Sequence, residues 1–358
     1  MPRERIVVAM SGGVDSSVAA ALLVREGVEV VGATLQLLPC EDRALDPSAC
    51  CGLDGARSAR AVADQLGIAH AVLDCRGEFE REVLRASWSE YARGRTPNPC
   101  ILCNQHLKWG FLLRRLAGLG AEQLATGHYA RTGPGPCLLR GADRDKDQSY
   151  FLFSLNDEQL ARTRFPLGGM TKAEVRALAR ELGLPTAERP ESQDACYAIS
   201  EDGFAESLRL RFDQALPEGA FVAPDGRALG HHDGVHRFTI GQRRGLGLSL
   251  GARAFVSEIR AGTGEVVVTT DERSLLARGL VVRLARPTQA PRFEVQIRSR
   301  NRAVSARLVR ADDSVAEIAF DGPQRAVTPG QAAVFYDGER VVGGGWIERA
   351  VPWEPSRP

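Results

Sequence analysis

Residues 6–18, reading IVVAMSGGVDSSV, constrain this chain more tightly than any other stretch. Ile6, Val7 and Val8 form an apolar run of β-branched residues that reads as a buried strand. Apolar residues then recur at Val14, Val18, Ala21 and Leu22, the spacing of a helix's inward face. Ser11, Gly12 and Gly13 turn the chain in between. A strand that ends on two glycines and opens at once into a helix makes an anion cradle. The helix points its free N–H groups and dipole at the turn, and glycine lets backbone approach a phosphate closely. The Gly-Lys-Ser/Thr ending of a Walker A loop is missing. A plainer reading of the same spacing is an ordinary strand-to-helix turn, with Asp15 and Ser16 as helix caps.

Ser11-Gly12-Gly13-Val14-Asp15-Ser16 resembles the SGGxDS signature of the ATP pyrophosphatases. That resemblance implies that the turn holds the pyrophosphate end of ATP, that a carbonyl oxygen is adenylated, and that pyrophosphate leaves. It selects no substrate.

At 358 residues the chain is too long for one compact core, which implies two or three domains. No apolar run approaches membrane-spanning length, and residues 1–5 lead straight into a strand without a signal-peptide core, so no membrane partner is expected and a cytoplasmic location is. The net charge of +1 neither argues for nucleic acid nor excludes it. The lysines are only Lys108, Lys146 and Lys172; nearly all positive charge is arginine, whose planar fork suits phosphate. Arg298, Arg300, Arg302, Arg307 and Arg310 lie close together without an intervening acid, which fits an RNA patch or a solvated barrel face equally well. The eight cysteines are Cys40, Cys50, Cys51, Cys75, Cys100, Cys103, Cys137 and Cys196. In a cytosolic chain they are reduced, so reactive or metal-binding roles outrank a disulfide framework.

The first part of the chain alternates strand and helix. Strands are expected at 28–38, 68–74 and 123–126, and helices at 56–66, 79–93 and 109–119. This implies an α/β fold with a doubly wound parallel sheet and ligands at the strands' C-terminal ends, where Leu35 and Gly127 sit. Residues 152–184 read as helical with a break at 166–169, and Thr171 and Glu174 form a capping box. Beyond about residue 200 short alternating stretches dominate, including 265–269, 293–298, 304–309 and 315–320. Asp337-Gly338 between two apolar runs marks a hairpin. The division expected is 1–200 for an ATP-binding catalytic domain, 201–278 for a small α+β linking domain, and 279–358 for a C-terminal β-barrel.

Two further stretches carry sulfur. In TPNPCILCN, residues 96–104, the prolines are expected to stiffen an extended, non-helical loop that presents Cys100 and Cys103, followed by Lys108. A Cys-x-x-Cys pair reads as half a zinc site, a redox pair or iron–sulfur ligands, and no second such pair is present. In ESQDACY, residues 191–197, Cys196 taken alone reads as a small buried apolar residue. His231, His232 and His236 lie close together, but no carboxylate or Cys completes a ligand set, and they read as non-metal.

Taken in order, SGGVDSS, TPNPCILCN, ATGHYAR, KDQSYFL, ESQDACY and FTIGQRRGLG are similar to the motifs of the tRNA-specific 2-thiouridylase family, over the whole chain. The resemblance implies 2-thiolation of the wobble uridine of tRNA, using ATP and Mg²⁺. Ala9, Met10, Ser11, Gly12, Gly13, Val14, Asp15 and Ser16, with Leu35 and Gly127, would hold the nucleotide. Asn98, Pro99 and Cys100 would line the target base. His128, Lys146, Asp147 and Gln148 would contact tRNA, as would Arg298, Ser299 and Gln331. Cys196 would carry a persulfide received from a sulfur-relay protein or cysteine desulfurase. Cys103 would be the nucleophile that closes the cycle through a transient disulfide with Cys196. Cys100 stands where some members carry Asp, which opens a second mechanism: Cys100, Cys103 and Cys196 as ligands of a 4Fe–4S cluster that delivers sulfide. Leu35 replaces the usual Met beside the adenine and keeps the apolar contact.

Overall fold

The computed structural model describes residues 4–38, 53–190, 203–214 and 216–353. Cys40, Cys50, Cys51, Cys196 and the stretch around Cys196 lie outside the described residues. The chain forms two compact units: residues 1–83, 99–201 and 339–341, and residues 84–98, 202–338 and 342–358.

In the first unit the strands are β1 (Arg5–Ala9), β2 (Glu29–Gln36), β3 (Ala69–Asp74), β4 (Gln123–Thr126), β5 (Ala130–Gly133), β6 (Cys137–Arg140) and β7 (Thr163–Arg164). The sheet order is β3-β2-β1-β4-β7, with every pair parallel. The chain moves outward from β1 to β3, then returns to place β4 on the other side of β1. That reversal makes β1/β4 the switch point, where an open α/β sheet gathers its ligands. Ile6, Val7 and Val8 are fully buried, as a strand covered on both faces requires. Helices α1 (Val14–Arg25) and α2 (Leu53–Leu66) supply Val18, Leu23, Ala59 and Val62 to the same core.

The expected extended loop over 96–104 stops at Asn98. Pro99 opens helix α3 (Pro99–Leu102), which runs directly into a π-helix at Cys103–Leu112. Proline suits this first helical position, because its missing N–H is one the helix would leave unpaired anyway. Cys100 and Cys103 therefore ride on a helix. Residues 152–184 are also less helical than expected. They hold a short helix at Asp157–Ala161 and helix α4 (Lys172–Glu181), with β7 between them as an edge strand on β4. The capping box at α4 is present: Thr171 Oγ1 accepts from Glu174 N, and Glu174 Oε2 accepts from Thr171 N at 2.7 Å.

The second unit contains a four-stranded sheet and a barrel. Strands β8 (Gly219–Val222), β9 (Ala228–His232), β10 (Phe255–Arg260) and β11 (Glu265–Thr269) pair in the order β10-β11-β8-β9. The barrel strands are β12 (Leu276–Arg286), β13 (Arg292–Gln296), β14 (Val304–Ala311), β15 (Val315–Arg325), β16 (Ala332–Asp337) and β17 (Arg340–Pro352). They follow the order β12-β15-β14-β13-β16-β17, and β12 pairs with β17 to close the ring. Leu280, Val295, Ile318, Phe335 and Ile347 fill it, with the Phe293 and Phe335 rings stacked at 4.6 Å. Closure removes the sheet edges that an open six-stranded sheet would otherwise expose.

The capping box gives α4 a measurable anchor. Thr171→Ala is expected to lower stability by about 1 kcal/mol in urea denaturation, and Thr171→Ser to cost much less, because the hydroxyl is retained.

Candidate active site

The turn after β1 is built as a cradle. Gly13 is the N-cap of α1 and has no side chain to offer, so the first-turn N–H groups are left for a ligand. Asp15 and Ser16 are therefore not the caps. Ser16 instead ties the loop together: its Oγ donates to Gly13 O at 3.1 Å and accepts from Ser11 N at 3.3 Å. Gly12 has φ +79°, and a Cβ there would collide with the Gly55 carbonyl. At the end of β4, a Cβ on Gly127 would stand 2.7 Å from Asp15 C and Ser16 N. Only glycine lets β4 end this close to the start of α1.

Two residues from other elements fix Asp15. Lys172, in the first turn of α4, donates to both carboxylate oxygens at 2.7 and 2.8 Å, and Tyr129 OH donates to Oδ1 at 2.8 Å. Arg189 Nη1 donates to Gly12 O at 3.2 Å and to Ser58 Oγ at 2.5 Å. Two cations thus flank the anion cradle.

The cradle opens into a cleft of about 240 Å³. Ala9, Met10, Ser11, Asp15, Ser16, Leu35 and Gly127 line it, and Cys103, Lys108, His128 and Gln148 also face it. Gly12, Gly13 and Val14 complete the loop. His128 Nδ1 meets Thr126 Oγ1 at 2.8 Å, and burial, followed by the Lys108 charge, holds its pKa well below 6.5. Its ring is neutral at neutral pH. Cys75 is fully buried and donates to Gln36 O at 3.4 Å; burial, then the neighbouring Cys103, pushes its thiol up to about 12. It stays protonated and so is no nucleophile.

Other expected site residues hold structure together. Asp147 accepts from Arg140 at 3.1 Å and from the backbone N–H groups of Gly141 and Ser149 at 3.0 Å, which organises the turn that carries Lys146 and Gln148. Gln148 Oε1 accepts from Tyr129 N at 3.0 Å. In the second unit, Arg298 Nη2 donates to Ile240 O, Ala326 O and Thr328 Oγ1 at 2.8–3.2 Å, and Ser299 O accepts from Gln296. Gln331 Nε2 donates to Thr96 O at 2.9 Å and Pro97 O at 3.2 Å, one residue before Asn98. His236 Nε2 meets Glu206 Oε2 at 3.3 Å, and His232 Nδ1 accepts from Gly234 N. Among the described residues no three His, Cys, Asp or Glu side chains gather as a metal site, and no helix is long and apolar enough to cross a membrane.

Three family models match in succession: the tRNA methyl transferase HUP domain over residues 4–200, the tRNA methyl transferase PRC-barrel domain over 210–270, and the aminomethyltransferase beta-barrel domain over 273–347. The chain is 46% identical over 364 residues to the tRNA-specific 2-thiouridylase MnmA of Geobacter metallireducens, covering 98% of each chain. It is 45% identical to that of Geotalea uraniireducens, over 98% of this chain and 96% of the relative. The chain belongs to the tRNA-specific 2-thiouridylase family. As a member it is a tRNA sulfurtransferase.

Sequence reasoning missed Tyr129, Lys172 and Arg189 at this 2-thiouridylase cradle. The capping box places Lys172 at the start of a helix, yet no local signal says which loop that helix faces. Tyr129 lies inside the ATGHYAR stretch, where its neighbour His128 drew the attention.

Gly127→Ala is expected to weaken ATP binding by about tenfold or more, from roughly 1–3 kcal/mol of overpacking against the start of α1; titration of the purified variant with ATP reads this directly. For His128, a depressed folded pKa means the unfolded chain takes up the proton first. Its contribution to stability is therefore present above pH of about 6.5 and lost as pH falls toward the folded value. NMR of the imidazole nitrogens should show a neutral ring at pH values where exposed histidines are already charged.

Proposed function

We propose that the chain is an ATP-dependent tRNA-uridine 2-sulfurtransferase acting at the wobble base. The observation that carries this reading is a single cleft that joins the phosphate cradle to a cysteine: Ser11, Asp15 and Ser16 at one side, Cys103 at the other. An enzyme that only bound RNA would have no use for the cradle, and one that adenylated a small molecule would have none for the thiol.

The chemistry explains the pairing. A C2 carbonyl of uracil is a poor electrophile, and its oxygen a poor leaving group. ATP lies with its pyrophosphate on the cradle and its adenine against Leu35. Mg²⁺, when bound, would offset phosphate charge; Asp15 is the one carboxylate of the loop, and Lys172 and Tyr129 hold both its oxygens in this structure. The C2 oxygen bonds to the α-phosphorus as the bond to pyrophosphate breaks, and the N3 proton is lost. The terminal sulfur of a persulfide on Cys196, loaded by a sulfur-relay protein or cysteine desulfurase, then attacks C2, and AMP departs with the former C2 oxygen. The Cys103 thiolate attacks Cys196 Sγ; the S–S bond to the base breaks, leaving C2=S on the base and a Cys103–Cys196 disulfide. A thiol reductant reopens that disulfide.

In this reading Asn98, Pro99 and Cys100 bound the target base, and His128, Lys146 and Gln148 approach tRNA. Asp147, Arg298, Ser299 and Gln331 approach tRNA as well, and Asp147 also organises the turn that carries Lys146 and Gln148. Residues 1–200 act as the catalytic domain, 201–278 as the link, and 279–358 as the tRNA-contacting barrel.

The test uses protein purified without oxygen, unmodified tRNA, ATP and a persulfide donor. Thiolated tRNA from iron-free wild type, with loss of product in Cys103→Ser and in Cys196→Ser, is expected. About four irons per chain, with thiolation abolished by Cys100→Ser, would replace the persulfide route by the cluster route. ATP turnover indifferent to tRNA would overturn the function itself.

A further inference from the structure

The π-helix at Cys103–Leu112 does something an α-helix could not. Its i→i+5 hydrogen bonding widens each turn, so residues four and five apart come to one face. Cys103 and Lys108 are five apart and face the same cleft, and Asn104 stands four before Lys108. Continued as an α-helix, Lys108 would rotate away from Cys103 by more than a third of a turn.

Lys108 is then oriented by two neutral acceptors. Nζ donates to Asn104 Oδ1 at 2.9 Å and to His128 Nε2 at 3.4 Å. Both acceptors are themselves fixed. Asn104 is buried and its Nδ2 donates to Phe151 O at 3.1 Å, which turns Oδ1 toward the ammonium. An ammonium has no lone pair, so His128 Nε2 must accept, and Nδ1–H donates to Thr126 Oγ1. That arrangement uses two of the three ammonium hydrogens. The third has no partner among the described residues, and neither does the charge have a carboxylate. The contrast with Lys172, clamped on Asp15, is direct. Lys108 lines the same cleft as Ser11, Asp15 and Ser16 of the cradle and as Cys103. A partly buried cation without a counter-ion is costly, and a site keeps one where a bound anion supplies the missing charge.

We propose that Lys108 is a catalytic residue that donates its third hydrogen to a non-bridging oxygen of the ATP α-phosphate as the uracil C2 oxygen attacks, with His128 and Asn104 as its positioning residues. This rests on the adenylation reading above and extends it to a named cation. The α-phosphate gains charge density in that step, and the ammonium stabilises it where it forms. Lys108 itself transfers no proton: the bond to the C2 oxygen forms, the bond to pyrophosphate breaks, the N3 proton passes to solvent, and Lys108 enters and leaves the step as an ammonium.

The experiment compares wild type, Lys108→Met and Lys108→Arg by ATP affinity and by tRNA-dependent pyrophosphate release in single turnover. The expected result is a loss of about 100-fold in pyrophosphate release for Lys108→Met, of the size seen on removing one charge-stabilising donor. ATP affinity should stay within about fivefold of wild type, and Lys108→Arg should recover part of the rate. Retained ATP affinity shows that the cradle is folded, so the rate loss then belongs to the charge. Normal pyrophosphate release from Lys108→Met, with thiolation lost, would overturn the proposal by placing Lys108 in sulfur transfer. Loss of ATP affinity in parallel with rate, in both variants, would overturn it by making Lys108 structural. Wild type that releases no pyrophosphate with tRNA would refute the adenylation reading itself, a result separable from either.

Discussion

Lys172 and Tyr129 hold the Asp15 carboxylate from two directions, and the cradle's shape depends on that grip. Within the loop only the Ser16 and Ser17 hydroxyls brace the backbone, since Gly12 and Gly13 supply no side chain and no cap. Its conformation is set from outside: by Lys172 at the start of α4, by Tyr129 just past β4, and by Arg189 on the Gly12 carbonyl. Gly127 admits the close approach that lets these contacts form. A cradle made this way is a property of three elements gathered at the β1/β4 switch point, rather than of one motif.

The same logic separates the two lysines of the cleft. Arginine supplies almost all the positive charge in this chain, some of it in exposed pairs such as Arg310 with Glu317 and Arg292 with Asp321. Such pairs are weak and screened by salt. Lysine is a compact charge on a flexible stem, and in the described residues two of the three lysines face the nucleotide cleft or its loop. One is neutralised by Asp15. The other is aimed by a neutral histidine and an amide, which fix its place without cancelling its charge. Burial of His128 matters here, because a protonated ring could not accept from an ammonium.

Much of this was legible in the sequence, and the parts that were not share a cause. The β-branched run at residues 6–8, the Gly-Gly turn, the capping box at Thr171 and the Asp337-Gly338 hairpin are local signals, and the structure shows the elements they announce. Pro99 misled because proline both breaks a helix and starts one, and only the chain after it decides which. The π-helix left no clean periodicity to detect, since its wider turn brings residues five apart to one face, a spacing that neither the α-helix nor the strand pattern uses. Tyr129, Lys172 and Arg189 act across 114, 157 and 177 residues of sequence, and such contacts have no local signature. Arg298 and Gln331 also hydrogen-bond within their own unit, Arg298 Nη2 to Ala326 O and Gln331 Nε2 to Thr96 O, across distances in sequence that leave no local signature.

The central claim is that the oxygen leaving the uridine leaves on AMP, activated in the cleft between the cradle and Cys103. The most direct measurement uses tRNA carrying ¹⁸O at C2 of the wobble uridine, with ATP, persulfide donor and enzyme, followed by mass spectrometry of the nucleotide. The account predicts one ¹⁸O in AMP for each 2-thiouridine formed. Thiolated tRNA with unlabelled AMP would contradict it, because ATP would then be cleaved without ever activating that carbonyl.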